Sequence, residues 1–394
     1  MNPHLSELHP YPFERLRDLL KGVSPADGLS PISLGIGEPA LPAPELFLST
    51  VMAEKDGFSR YPTTAGDPRL RQAICGWLSR RYGADDLDPA RHVVPCAGTR
   101  EALFSICQAV AGGGNRRKVL MPNPFYQIYE GAALWAGAEP VYVAATEKTG
   151  FLPDYAGLGE TVLRDTALLY LCSPNNPTGA VAPVEYMREL IRLSARYGFV
   201  IVSDECYGEI YPDESTPPPG ILGVARDMGH RDYTGLLAFH SLSKRSSLPG
   251  ARSGFVAGDA ALLASYLKAR TYFGSTIPLP IQYASAAVWG DEAHVVANRA
   301  AYRRQFDAFL NELDGHLPLV RPQGGFCLWA RVPGGGEAFS RKLFERCNIT
   351  VLPGAYLARP DGSGVNPGAD YVRMALVEGE ARCAEAARRM REVL

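Results

Sequence analysis

Short apolar runs alternate with longer amphipathic stretches through the middle of the chain. Residues 92–96, 118–121, 140–143, 167–172, 199–203 and 235–240 are apolar almost without interruption, the pattern of strands covered on both faces rather than one. Between them, residues 68–82, 98 to about 110, 125–135 and 183–197 carry helical periodicity. Pro68 stands at the first position of its helix, where a missing N–H costs nothing. Strand and helix in turn predict a mostly parallel sheet with helices on both faces. After residue 290 the rhythm changes. A long polar helix over 292–313 is followed by a strand beginning at 324–329, elements at 337–347, 349–352 and 371–376, and a last helix over 380–393. The N-terminal region holds one amphipathic helix, 12–21, and the run Ile32-Ser33-Leu34-Gly35-Ile36-Gly37-Glu38-Pro39.

These elements predict an α/β fold: a three-layer αβα domain with a mostly parallel sheet, joined to a smaller α+β domain. The expected division is 1–45 as an N-terminal arm and part of the small domain, 46–290 as the large domain, and 291–394 as the small C-terminal domain. Residues 212–219 and 358–368 are expected to be surface loops.

Composition narrows the picture. A chain of 394 residues is too long for one compact core. Apolar residues at 46% and charged residues at 21% are ordinary for a globular protein, and a formal charge of −2 leaves no footprint for nucleic acid or an anionic membrane. No apolar run approaches the roughly 18 residues of a membrane span. The N-terminus lacks the basic-then-apolar pattern of a signal peptide, so a cytoplasmic location is the expectation. The eight cysteines include no C-x-x-C pair and several sit in apolar runs, which favours reduced buried thiols over disulfides. The seven histidines show no metal-ligand spacing, and no metal is expected.

Candidate chemistry gathers where strands should end. Behind the 235–240 run comes Ser241-Leu242-Ser243-Lys244, with Arg252 a few residues on. A lysine there suits a desolvated amine that forms a Schiff base with an aldehyde, and the hydroxyls and Arg252 suit an attached phosphate. A plain surface lysine in a polar loop is the competing account. After residue 172 comes Ser173-Pro174-Asn175-Asn176-Pro177-Thr178-Gly179, and after 203 comes Asp204-Glu205-Cys206-Tyr207. Gly98-Thr99-Arg100 opens a helix whose free N–H groups make an anion site. Each alone is an ordinary turn or cap. Together at one sheet edge they predict a shared pocket. No G-x-G-x-x-G fingerprint and no P-loop occurs.

In the order of these motifs, from Leu34–Pro39 to Tyr371-Val372-Arg373-Met374, the chain resembles the pyridoxal-phosphate aminotransferases of fold type I, class I/II. The resemblance implies that Lys244 carries pyridoxal 5'-phosphate as a Schiff base and later moves the proton at the substrate's Cα. It implies that Asp204 pairs with the ring nitrogen and that Asn176 and Tyr207 bond the ring's 3-oxygen. Tyr126 is expected to stack on the ring, with Phe125 and Tyr129 as neighbouring alternatives. Gly98, Thr99, Arg100, Ser241, Ser243 and Arg252 are expected around the phosphate, and Arg373 and Gly37, with Asn176, at the substrate α-carboxylate. Tyr61 matches a tyrosine that reaches the phosphate from a neighbouring subunit, which implies a homodimer with shared sites. Many relatives carry a glycine soon after the lysine, whereas Arg245-Ser246-Ser247 follows here, so substrate contacts near Arg245 are expected to differ.

Within the family, Met1–Leu5, Tyr11–Leu16 and Ile32–Pro39 resemble the proteobacterial N-succinyldiaminopimelate aminotransferases. That likeness implies transfer between glutamate and the N-succinyl-2-amino-6-oxopimelate/N-succinyl-LL-2,6-diaminopimelate pair, in lysine biosynthesis. Arg270, Arg245 and Lys268 are the candidates for the cation that meets a distal carboxylate. An aspartate- or aromatic-type aminotransferase would share every catalytic residue, and a carbon–sulfur lyase could use the same fold. A ligand-sensing domain of a transcription regulator is disfavoured, because the enzyme fold uses up the chain and no basic patch is present.

Overall fold

Residues 3–394 are described in this computed structural model. The strands are β1 (Ile32–Ser33), β2 (Val93–Cys96), β3 (Lys118–Asn123), β4 (Glu139–Ala144), β5 (Thr166–Cys172), β6 (Val200–Asp204), β7 (Leu236–Ser241), β8 (Gly254–Gly258), β9 (Cys327–Arg331), β10 (Ile349–Thr350), β11 (Leu352–Pro353) and β12 (Tyr371–Ala375). A seven-stranded sheet has the order β2-β8-β7-β6-β5-β3-β4. All its pairings are parallel except those of β8, which runs antiparallel to both neighbours.

Every residue of β5, β6, β7 and β8 is buried. Alternate residues serve two cores. Leu169, Leu171, Ile201 and Ala238 face Trp77, Leu190 and Ile191, while Leu168, Tyr170, Val202 and Phe239 face Leu103, Ile106 and Leu263. Burying each large apolar side chain contributes about 1.5–3 kcal/mol, so the period-two pattern fixes which strand faces meet which helices.

A separate three-stranded antiparallel sheet, β11-β12-β9, shares a third core with helices Ala293–Leu313, Gly336–Cys347 and Glu380–Arg391 through Phe309, Leu328, Leu343, Met374 and Ala387. The N-terminal segment returns to it: β1 pairs in parallel with β10, Ile32 opposite Ile349.

The structure adds elements that the pattern did not announce. Strand β8 is only Gly254-Phe255-Val256-Ala257-Gly258, bounded by glycines that weaken a strand reading. Helices Glu45–Ala53 and Leu279–Gly290 pack on each other and carry apolar residues around much of their circumference, which blurs the helical period. The helix expected from Phe125 starts at Ile128, because the Phe125 N–H donates to the Leu357 carbonyl at 2.9 Å instead. The loop expected at the surface from 358 begins in the interior. Arg359 is buried, bonded to Glu130 Oε1 and Oε2 at 2.7 and 2.5 Å, since a buried guanidinium requires a carboxylate partner. All eight cysteines are free thiols, six of them buried. Among the described residues no helix is long and apolar enough to cross a membrane.

Candidate active site

Sheet register brings the motifs together. Cys172 lies opposite Asp204, Asp204 opposite Phe239, Ser241 opposite Gly254, and Gly254 opposite Cys96. The loops that follow Cys96, Cys172, Asp204 and Ser241 therefore leave the sheet at one edge, the carboxyl edge, where open α/β sheets bind ligands. Because β8 runs the other way, the residues just before it, including Arg252, arrive at the same edge.

An open cavity of about 630 Å³ sits there. Gly37, Thr99, Arg100, Tyr126, Asn176, Asp204, Tyr207, Ser241, Ser243, Lys244, Arg252 and Arg373 all line it. Gly98 lies against it, because a Cβ there would come within 2.0 Å of the Arg252 guanidinium. Tyr61 lies elsewhere on the same chain, fully exposed. Arg270, Arg245 and Lys268 do not line the cavity. Arg270 is buried against Glu101 (2.5 Å) and Arg245 against Glu292 (2.7 Å), while Lys268 is on the surface. Arg245 thus meets the structural core rather than the ligand space.

At one end of the cavity, helix Thr99–Ala111 starts from Gly98 at φ 86° with no side-chain cap, leaving its first N–H groups available for an anion. The Ser241 and Ser243 hydroxyls are 2.9 Å apart beside it. Arg252 holds a left-handed backbone, φ 48°, a conformation that costs a non-glycine residue roughly 1–3 kcal/mol and that clusters at ligand sites.

The Lys244 amine donates to the Gly37 carbonyl at 2.6 Å. Burial lowers its pKa from 10.5 to about 8, with the positive charge of Arg373 adding to the effect. The neutral amine is the form that attacks an aldehyde. Attachment of pyridoxal phosphate to the cofactor-free protein should therefore speed up roughly tenfold from pH 7 to 9 and then level off, because the neutral fraction saturates above a pKa near 8. Stopped-flow absorbance checks this. A rate still climbing tenfold per pH unit above 9 would mean an unperturbed amine.

Asp204 is buried, and burial raises its carboxyl pKa against the opposing hydrogen bonds from Tyr129 and Cys206. The Tyr129 hydroxyl donates to Asp204 Oδ2 at 2.6 Å and the Cys206 N–H to Oδ1 at 3.2 Å. Tyr129 itself stacks on Tyr170, ring centroids 4.3 Å apart and 13° from parallel. Its position thus makes Tyr129 a support for Asp204, a part that nothing in the sequence signalled, since its partners lie 41 and 75 positions away. Tyr126 lines the cavity.

Arg373, on β12, reaches across from the small sheet. Its Nη1 donates to Asn176 Oδ1 at 3.1 Å and its Nη2 to the Gly35 carbonyl at 2.8 Å, while Nε is buried without a partner. Tyr11, Phe13, Ile36, Glu38, Gln127 and Leu352 also line the cavity; Ile36 and Glu38 belong to the Ile32–Pro39 run and Tyr11 and Phe13 to the Tyr11–Leu16 stretch, while no motif marked Gln127 or Leu352.

A buried amine of lowered pKa, a buried carboxylate and a helix start flanked by hydroxyls and a guanidinium fit a phosphorylated pyridine aldehyde. This fold and site define a pyridoxal-phosphate enzyme. The family profile described as aminotransferase class I and II matches residues 30–373. The chain belongs to that family, whose members depend on pyridoxal phosphate. It is 33% identical to the LL-diaminopimelate aminotransferase of Desulforudis audaxviator over 99% of this chain and 97% of that one. A crystal structure of an aminotransferase from Neisseria meningitidis superposes with a TM-score of 0.95 at 44% identity, each chain fully covered. The probable N-succinyldiaminopimelate aminotransferase of Thermus thermophilus gives a TM-score of 0.84 at 26% identity, over 97% of this chain and 99% of that one.

Proposed function

We propose that this aminotransferase moves an amino group between glutamate/2-oxoglutarate and the N-succinyl-2-amino-6-oxopimelate/N-succinyl-LL-2,6-diaminopimelate pair, a step in lysine biosynthesis. The observation that carries transamination is the meeting of Lys244, Asp204 and Arg373 in one cavity. Diaminopimelate chemistry is supported by the names of the Desulforudis and Thermus proteins. Those names differ over the succinyl group, so transfer to unsuccinylated LL-diaminopimelate is the second reading.

Bound pyridoxal phosphate supplies an electron sink for the pair left at Cα when its proton departs. The chain's residues supply the rest. Lys244 gives the amine that bonds the cofactor and then carries the proton at Cα. With the cofactor bound, Asp204, braced by Tyr129, would hold the ring nitrogen protonated, Asn176 and Tyr207 would meet the 3-oxygen, and Tyr126 would stack on the ring. Gly98, Thr99, Arg100, Ser241, Ser243 and Arg252 would receive the phosphate. Arg373 grips the α-carboxylate beside Asn176 and Gly37, its planar fork orienting Cα–H toward Lys244.

Tyr61 belongs in this reading to the site of a second copy, making a homodimer. The exposure of Met52, Phe58, Tyr61 and Tyr272 supports such an interface. Light scattering should give the mass of two chains, and a monomer would remove Tyr61 from the phosphate site. The reading also keeps 46–290 as the cofactor domain, with 1–45 and 291–394 as the smaller unit. Hydrogen exchange on the full chain should show these as separate units, and one uniform unit would count against the division.

The direct test mixes the cofactor-loaded enzyme with N-succinyl-LL-diaminopimelate, LL-diaminopimelate or aspartate and follows the cofactor's absorbance in a single turnover. The succinylated substrate should react fastest. Faster reaction with LL-diaminopimelate would establish the second reading, and faster reaction with aspartate would move the enzyme out of diaminopimelate chemistry.

A further inference from the structure

Lys244 stands in a helix of four residues, Leu242–Arg245. A single helical turn does not hold its own shape in water, because nucleation costs more than one turn returns. The place of the lysine is therefore set by what its neighbours bond to. The three residues that follow it, Arg245-Ser246-Ser247, are all buried, and none of them lines the cavity.

Each of the three is tied to another part of the fold. Arg245 Nη1 donates to the Val288 carbonyl at 3.0 Å, and Nη2 to the Asp291 carbonyl at 3.2 Å and Glu292 Oε1 at 2.7 Å. The guanidinium thus meets the carboxyl end of helix Leu279–Gly290, a favourable place for a cation. It also lies 4.9 Å from the centroid of the Trp289 ring. Ser246 is the middle link. Burial holds the His294 ring below its usual pKa, so the ring is neutral near pH 7, with its proton on the Nδ1 that faces the Asp291 carboxylate. Its Nε2 then accepts from the Ser246 hydroxyl at 2.8 Å, and Ser246 Oγ accepts from Arg245 Nη1 at 3.2 Å. A bonded serine, histidine and carboxylate also describe a nucleophilic triad, but Ser246 is 0% exposed and no substrate reaches it. Ser247 holds a left-handed backbone, φ 53°, and its hydroxyl donates to the Leu41 carbonyl at 2.6 Å.

These anchors lie in two places. Val288, Asp291, Glu292 and His294 form the junction between helices Leu279–Gly290 and Ala293–Leu313, and Asn298 of the second helix adds a bond to the Arg245 carbonyl at 3.3 Å. Leu41 lies four residues beyond Gly37, whose carbonyl accepts from the Lys244 amine at 2.6 Å. The backbone of the lysine and the segment that meets its amine are thus fixed by one buried turn. We propose that Arg245, Ser246 and His294 are positioning residues: they rivet the turn that carries Lys244 to the helix junction, and so set where its amine meets the cofactor and the substrate's Cα. A reacting group displaced by about 1 Å loses roughly 10²-fold in rate, so a loosened rivet acts on catalysis without touching substrate. The inference rests on the role of Lys244 read above and deepens it, and it holds whichever amino acid is the preferred substrate.

The test compares the cofactor-loaded wild type with Arg245→Lys, Ser246→Ala, His294→Asn and His294→Gln. Asparagine keeps a donor for Asp291 but does not reach Ser246, whereas glutamine reaches Ser246 and is the conservative control. Three quantities are read: the pH midpoint of the lysine-bound cofactor's absorbance without substrate, single-turnover rates across glutamate concentrations, and the unfolding temperature. Arg245→Lys, Ser246→Ala and His294→Asn should each lower the saturating rate roughly tenfold or more, with half-saturation moving less than about threefold. The absorbance midpoint should shift by more than about 0.5 pH unit in the same variants, and His294→Gln should recover most of both. If Arg245→Lys does not fold, Ser246→Ala and His294→Asn decide the matter. A lowered unfolding temperature with the saturating rate and the midpoint unchanged would show that the network serves stability alone and would overturn the inference. A change confined to half-saturation would place these residues in substrate binding and overturn it too. A wild type whose absorbance survives Lys244→Ala would instead remove the reading of Lys244 itself, and the inference with it.

Discussion

Lys244→Ala should lower kcat by at least about 10⁴-fold and abolish the absorbance of the lysine-bound cofactor. The loss removes two contributions at once. The covalent attachment disappears, and so does the positioned base that moves the proton at Cα, a role worth roughly 10²–10⁴ by itself. The same variant should not be unstable, which separates chemistry from folding. Burial lowers the amine's pKa from 10.5 to about 8, so between those values the unfolded chain binds more protons than the folded one, and stability rises with pH across that window. Below pH 8 the buried ammonium is a standing cost of up to about 3 kcal/mol. Alanine removes that cost and leaves space in an already open cavity. The cofactor-free variant should therefore unfold at or above the wild-type temperature at pH 7. A variant that keeps the cofactor absorbance and turns over would sink the assignment of Lys244.

Asp204→Asn should lower kcat by roughly 10²–10³, the range for losing one preorganised electrostatic partner of the reacting group, and weaken cofactor binding. The carboxylate lies in the interior at the end of β6, where burial raises its pKa. A buried carboxylate is costly without a cation, and a protonated ring nitrogen is the cation its position awaits. The Cys206 N–H and the Tyr129 hydroxyl donate to different oxygens of Asp204, so the amide oxygen keeps the Cys206 N–H while the amide NH2 meets the Tyr129 hydroxyl, which turns to accept; the variant removes the charge and changes the shape little. Titration of the bound cofactor's absorbance separates the outcomes. Near-normal turnover with an unshifted profile would mean that another group protonates the ring nitrogen.

Much of this site was legible in the sequence. Lys244, Asp204 and Asn176 each follow an apolar run that becomes a central strand, and the Gly98–Arg100 turn follows one that becomes the buried edge strand β2. Arg373 was legible through its resemblance to a family motif, because its own strand is ordinary. Other parts had no local signal. Tyr129 supports Asp204 through a contact that crosses the sheet edge. Tyr11 and Phe13 wall the cavity from a segment whose hydrophobic pattern shows an amphipathic helix and whose wording resembles a subfamily, neither of which places it at the cavity. The three cations first considered for a distal carboxylate were unsuitable because charge in a sequence does not disclose its partner, and Arg245 and Arg270 are already paired with Glu292 and Glu101.

By itself the sequence determined the strand order's raw material, the motifs at the strand ends and the cofactor class, because residue period and local spacing act over a few positions. The tertiary structure decided which ends became neighbours. The antiparallel course of β8 delivers Arg252 to the parallel strands' carboxyl edge. Bonds from Arg373 to Gly35 and Asn176 draw the two sheets around one cavity. Two phenols from distant segments, Tyr11 and Tyr126, hold the Arg100 guanidinium. Those contacts depend on long-range packing and register, which no local pattern encodes.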